Sequence, residues 1–135
     1  MKTKKIDYIY AVGRRKESSA RIRLFHGKGE NTVNNMPAVK YFEGAVMQKM
    51  LVRPFGETET SDKYYFSARV TGGGKEGQLA AVVLALSRGL VKVSPEKNRI
   101  VLRKSSLLTR DSRTRERRMV GNGGKARRQK QSPKR

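Results

Sequence analysis

The last 27 residues, TRDSRTRERRMVGNGGKARRQKQSPKR, contain only three apolar side chains, Met119, Val120 and Ala126. They carry eight arginines and three lysines against Asp111 and Glu116, so +9 of the chain's +21 formal charge sits there. A segment this charged and this poor in apolar groups cannot bury enough surface to offset the entropy of ordering it. It is expected to be disordered when free, and only the residues before it can build a core. The chain therefore reads as a globular domain over residues 1–108 and an extended basic tail over residues 109–135. Fully extended, such a tail spans roughly 90 Å, against a radius of gyration of about 13 Å for the body.

The body keeps the remaining positive charge, and a surplus of this size calls for a polyanionic partner, either nucleic acid or an anionic membrane surface. The membrane is disfavoured. No apolar run approaches the roughly 18–20 residues of a spanning helix, and MKTKKIDYIYAVGRRK is interrupted too early to be a signal peptide. The absence of cysteine excludes disulfides and thiolate metal sites and fits a reducing, intracellular setting. His26, the single histidine, lies in the turn-like FHGKGE, so no metal is expected.

DYIYAV alternates as a strand. SSARIRLFHGKGENTVN reads as a hairpin turning at residues 27–29, with Ala20, Ile22 and Leu24 on one side and Arg21 and Arg23 on the other. Asn35 is the expected N-cap of a helix with Pro37 near its first position, running until Arg53-Pro54 breaks it. KYYFSARVT alternates again, Tyr64, Phe66, Ala68 and Val70 facing one way, Tyr65, Ser67, Arg69 and Thr71 the other. Residues 78–90 are predicted to be a helix that buries Leu79, Val82, Val83, Leu86 and Leu90. Ser94-Pro95-Glu96 opens a last helix to about Lys104. The order β-β-β-α-β-α-α gives an α+β fold, with helices on one face of a mixed, mostly antiparallel sheet.

VTGGGKEGQ satisfies G-x-G-x-x-G over residues 72–77, follows a strand and opens a helix, with Glu96 about 20 residues further on. A dinucleotide fold needs strands buried on both faces, which read as continuous Val/Ile/Leu runs, and this strand alternates. The chain is also too short for two mononucleotide halves and a catalytic domain. A phosphate-binding P-loop fails because Gly77 is followed by Gln78, not by Lys and Ser/Thr. No cofactor, small-molecule substrate or catalytic residue is expected, and the chain is read as not being an enzyme. Two compatible readings of the loop stay open. Its amides around Gly73 and Gly74, with Lys75 beside them, can cradle an RNA phosphate at a helix N-terminus. Alternatively, the glycines only permit a tight strand-to-helix turn.

VGRRKESSARIRL places Arg14, Arg15 and Lys16 between two strands and Arg21 and Arg23 on the solvent face of the second. That is a stripe suited to tracking phosphates. A charged edge that merely blocks strand pairing is the plainer alternative, disfavoured because Glu17 is the only acid nearby. Glu57, Glu59 and Asp62 have no histidine or cysteine beside them and read as a solvated loop, not an acid–base pair. Tyr8, Tyr10, Tyr41 and Phe42 could stack on bases, but aromatics in strands and on helix faces more often fill a core, and none is taken as a base contact.

These residues resemble a known family. YAVGRRKESSARIRL, VTGGGKEGQ, LSRGL, LLTRDSRTRERRMVG, KARR and the final Lys-Arg occur in the order expected of the small-subunit ribosomal protein nine family, in its bacterial or organellar branch. The resemblance covers residues 8–135 and implies the βαβ-type fold shared with the second domain of small-subunit ribosomal protein five. It implies a body docked on the head of the small subunit, against ribosomal RNA (rRNA) and neighbouring head proteins, in cytoplasmic or organellar ribosomes. It also implies a C-terminal tail that threads through RNA to the peptidyl (P) site and touches the tRNA anticodon stem-loop. Carried onto matching positions, rRNA contacts fall to Arg14, Arg15, Lys16, Arg110, Arg113, Arg117, Arg118, Lys125, Arg127 and Arg128. The tRNA contacts fall to Lys134 and Arg135. Pro133 and the Gly123-Gly124 pair depart from the family pattern. The rival reading is a free nucleic-acid-binding protein, since SPKR resembles basic motifs of chromatin tails and KARRQK a nuclear localisation run.

Overall fold

A computed structural model describes residues 7–121, 123 and 129. Its strands are β1 (Tyr8–Arg15), β2 (Ser18–His26), β3 (Thr32–Val33), β4 (Met36–Pro37) and β5 (Tyr64–Thr71), and its helices α1 (Ala38–Tyr41), α2 (Ala45–Thr58), α3 (Lys75–Val93) and α4 (Pro95–Lys104). Alternation decides which strand faces are buried: Ala11, Ala20, Ile22, Leu24, Phe66, Ala68 and Val70 turn inward from β1, β2 and β5. The sheet runs β1-β2-β5-β3-β4, and every neighbouring pair is antiparallel except β3 with β5. This is the expected α+β architecture with a mixed, mostly antiparallel sheet.

Two expectations are corrected here. SSARIRLFHGKGENTVN is not one hairpin, because β5 lies between β2 and β3, and β3 runs parallel to β5. The hairpin is β1–β2, closed by Lys16-Glu17 with Arg15 opposite Ser18. Two residues make a meagre strand, and asparagine side chains extend its pairing. Asn34 donates its backbone N–H to the Ala68 carbonyl (2.9 Å). Its side-chain amide donates to the Val70 carbonyl (3.1 Å) and accepts from the Val70 N–H (2.8 Å). Asn31 Oδ1 accepts from the Phe66 N–H (3.1 Å).

The second correction concerns the helix after β3. Asn35 is not an N-cap; it and Asn34 take positive φ (65° and 49°) to turn β3 into β4. The helical segment is split at Gly44, whose φ of 106° interrupts it, and α2 then runs through Pro54 to Thr58. Proline removes one helical hydrogen bond, but Pro54 is buried beside Leu51 and Phe55, and that burial opposes the break.

The helix α3 is longer than its apolar stripe suggests and buried on more sides. Leu79, Val82, Leu86 and Leu90 are buried as predicted, and Val83 is partly buried against the core, but Ala81, Leu84, Ala85, Ser87 and Gly89 are buried as well. One side lies on β1 and β2, and α2 and α4 pack on the helix from elsewhere. Ala81, Ala85 and Gly89 recur every fourth residue and meet β1 where it is also small. A Cβ on Gly13 would collide with the Ala81 carbonyl oxygen and stand 2.6 Å from the Ala85 nitrogen. Arg88 and Lys92 then reach the edge strand, donating to the Val12 (2.8 Å) and Tyr10 (2.6 Å) carbonyls. Both bonds cover acceptors that would otherwise invite another strand. Asn98, buried, donates to the Leu90 carbonyl (2.7 Å) and ties α4 to the end of α3.

Two alanine substitutions separate close approach from simple glycine flexibility. Gly13→Ala should lower unfolding free energy in denaturant titration by about 3 kcal/mol, an overpacking cost against rigid backbone. Gly56→Ala, where a Cβ meets open space in α2, should be neutral or stabilising by up to about 1 kcal/mol.

Candidate nucleic-acid interface

The basic turn and the glycine loop meet at one end of the sheet. Ser18, buried at the start of β2, donates from Oγ to the Gly72 carbonyl (3.1 Å), which also accepts from Gln78 Nε2 (3.0 Å). Gly72 and Gly73 have φ of 76° and 64°. A Cβ on the first would run into the Glu17 carbonyl oxygen and on the second into Ser18 Oγ. The glycines thus have a steric reason: the loop closes against the β1–β2 turn with no room for a side chain. Gly74 precedes α3, whose N-terminus has no side-chain cap and whose first turn holds Glu76. Lys75 is engaged on Tyr41, with Nζ 3.4 Å from the ring centroid and 3.2 Å from the carbonyl oxygen.

The three cations of the basic stretch separate by direction. Arg14 and Arg15 are the last residues of β1, and the turn proper is Lys16-Glu17, with Lys16 at φ 52°. Arg14 and Lys16 face outward, whereas the Arg15 side chain is only 15% exposed. It pairs with Asp111 (Nη2 to Oδ2, 3.3 Å) and donates to the Arg113 carbonyl (2.6 Å). Arg113 closes the cluster, its guanidinium donating to both Asp111 carboxylate oxygens (2.6–3.1 Å). The hydrogen bonds from Arg113, assisted by the charges of Arg113 and Arg15, hold the Asp111 carboxyl far below the usual carboxylate range. A depressed carboxyl keeps its contribution above the ordinary carboxylate pKa and loses it only as pH falls through the lowered value. The residues after Leu108 therefore begin against the body.

Arg21, Arg23, Arg110, Arg113, Arg117 and Arg118 are all exposed, the first two on the sheet face opposite α3. Arg69 stands opposite Arg21 across the ladder and adds a cation that sequence reading treated only as solvent-facing. Lys125, Arg127, Arg128, Lys134 and Arg135 lie outside the described residues. The Arg15–Asp111 contact was missed, and its signal was an aspartate two residues before an arginine in a segment almost without acids.

A groove of about 650 Å³ runs beside this contact, with Met47, Met50, Leu84 and Leu107 along it and Arg14, Lys16 and Arg53 among its cations. Its acids are Glu76 and Asp111, and it holds neither histidine nor cysteine. Glu57, Glu59 and Asp62 are exposed, Glu57 lying 3.8 Å from Arg53. His26 sits edge-on to Tyr64 at 5.2 Å. Among the described residues no group of His, Cys, Asp and Glu is placed to hold a metal ion, and no helix is long and apolar enough to cross a membrane.

A family model described as ribosomal protein S9/S16 matches residues 13–135. The small ribosomal subunit protein uS9 of Maridesulfovibrio salexigens is 41% identical over 118 residues, which are 87% of this chain and 90% of that protein. The uS9 of Phocaeicola vulgatus is 38% identical over 130 residues, 96% of this chain and 100% of that protein. The uS9 of Leifsonia xyli subsp. xyli is 43% identical over 111 residues, 82% of this chain but 66% of the longer relative.

The contact between the tail's start and the body should be separable from the fold. Arg15→Ala should raise backbone mobility around residues 110–114 in ¹⁵N relaxation while changing global stability by less than about 1 kcal/mol. Acidifying the wild type from about pH 7 to about pH 5 should leave those order parameters unchanged, because the Asp111 carboxyl remains ionised.

Proposed function

The chain belongs to the ribosomal protein S9/S16 family, and on that premise we propose how it serves as a structural, non-enzymatic component of the small ribosomal subunit. The body holds rRNA in the head of the subunit, beside neighbouring head proteins, and the tail runs through RNA to the P site of cytoplasmic ribosomes. There it touches the anticodon stem-loop of the tRNA. The action is electrostatic and involves no bond making.

One observation carries this reading: Arg15 ties Asp111 and Arg113 to the end of the sheet that bears the basic turn, so the basic tail sets out from beside the body's basic turn. Arg14, Lys16, Arg21 and Arg23 offer phosphate contacts on the body, and Arg15 joins them where the tail departs. The amides of Gly73 and Gly74, with Lys75, form a second phosphate position at the start of α3. Beyond the junction, Arg110, Arg113, Arg117 and Arg118, followed by Lys125, Arg127 and Arg128, take rRNA phosphates as condensed counterions leave. Arginine outnumbers lysine in this segment eight to three, which favours bidentate phosphate contact and stacking. Lys134 and Arg135 meet the tRNA backbone, a contact that carries no base information and so suits a site that accepts every tRNA. The body over residues 1–108 and the tail over residues 109–135 are thus two functional regions, one an anchor and the other a reach.

The chain should sediment with small subunits at close to one copy per particle. If roughly eight phosphates are neutralised, affinity for the rRNA should fall with a log–log salt slope on the order of −6. Failure to co-sediment, with tight binding to duplex DNA instead, would reject the ribosomal reading. Deleting Lys134 and Arg135 should leave assembly intact and speed tRNA release from the P site; equal release rates would remove the tRNA contact from the proposal.

A further inference from the structure

The sheet face opposite α3 has a composition unusual for an idle surface. Four of its outward positions on β1, β2 and β5 are aromatic: Tyr8, Tyr10, Phe25 and Tyr65. Four more are arginine: Arg14, Arg21, Arg23 and Arg69, and none of the outward positions on these strands is acidic. Register gathers them into rows. Tyr8, Phe25 and Tyr65 are cross-strand neighbours, with ring centroids 5.9 Å and 5.1 Å apart. The next outward row is Tyr10, Arg23 and Ser67, and the one after it Val12, Arg21 and Arg69.

Exposure divides the rings by role. The backbone at Gly29 lies on the Tyr65 ring, where a Cβ would come within 2.8 Å, and Phe25 stacks on Tyr65 and is tilted against Tyr8. Those two rings are partly buried and act as a buttress. Tyr8 and Tyr10 remain 47% and 46% exposed, and the Arg23 guanidinium sits 5.1 Å from the Tyr8 ring centroid. They are two residues apart on one strand, a separation of about 6.7 Å, or about two nucleotide steps of a stacked strand. The Lys92 bond to the Tyr10 carbonyl holds that strand at the edge.

We infer that the open face of β1, β2 and β5 is a stacking platform for unpaired bases of a single-stranded RNA segment. Tyr8 and Tyr10 receive bases, and Arg21, Arg23 and Arg69 hold the phosphates between them. Aromatic faces and guanidinium planes beside one another are the chemistry that grips splayed bases, and four cations without an acid match a polyanion. This inference rests on the RNA-binding reading above and deepens it from phosphate tracking to base contact.

Full-length protein should be titrated, at moderate salt, with a short single-stranded RNA and with an abasic ribose-phosphate oligomer of equal length. The chain has no tryptophan and five tyrosines, so tyrosine fluorescence reports on the rings directly. Wild type should bind the base-bearing strand about tenfold or more tighter than the abasic one, with quenching. Tyr8→Val/Tyr10→Val, which keeps strand preference, should abolish that difference and leave abasic affinity unchanged, whereas Tyr8→Phe/Tyr10→Phe should retain it. Equal wild-type affinity for the two strands overturns the platform while salt-dependent RNA binding survives; no binding to either overturns the RNA-binding reading and the platform with it. A valine variant that keeps the base preference but fails to enter small subunits also overturns it, since the face is then covered by a protein. Should the valine variant not fold, equal wild-type affinity for the two strands still overturns the platform.

Discussion

Backbone approaching backbone is the contact on which the molecule depends. The small side of α3, Ala81, Ala85 and Gly89, settles onto Ala11 and Gly13 of β1 with no space for a side chain at Gly13. Close packing of this kind gains dispersion contacts along the whole helix and tolerates little added volume. It also sets the distance from which Arg88 and Lys92 reach the β1 carbonyls. At the next corner Gly72 and Gly73 press on Glu17 and Ser18. A β1–β2 turn held from two directions becomes a firm base for Arg14 and Lys16.

That firmness matters because the chain's charge is self-repelling. With 32 basic and 11 acidic residues, the protein cannot neutralise itself and instead distributes cations among distinct tasks. Some are used internally: Arg88 and Lys92 cover edge carbonyls, Lys75 lies on Tyr41, and Arg15 holds the start of the tail. Others stay on the surface, where each gains little from the protein and much from a phosphate. Asp111 is placed between Arg15 and Arg113 and relieves their mutual repulsion at the point where tail leaves body.

The sheet divides the remaining work. One face carries the core; the other carries Tyr8, Tyr10 and the arginine rows. Period-two alternation made both faces readable, so Ile22 and Leu24 were expected inside and Arg21 and Arg23 outside, as found. Motif order made the family resemblance readable as well. The tail's junction was not legible, because an Asp-x-Arg spacing does not say which distant arginine will complete the cluster. The exposure of Tyr8 and Tyr10 was not legible, since ring chemistry suits core and surface alike and only burial distinguishes them.

Local rules written in the chain determined the strands β1, β2 and β5 with their inward and outward faces, where α4 begins at Ser94-Pro95 and where charge accumulates. These depend on neighbours within one or two turns, and periodicity records them. The tertiary structure alone decided that β5 enters between β2 and β3, that Pro54 stays inside a helix, and that Arg15 turns inward to Asp111. Each of those outcomes compares contacts between residues far apart in sequence, and the winner is set by packing geometry that no local pattern encodes.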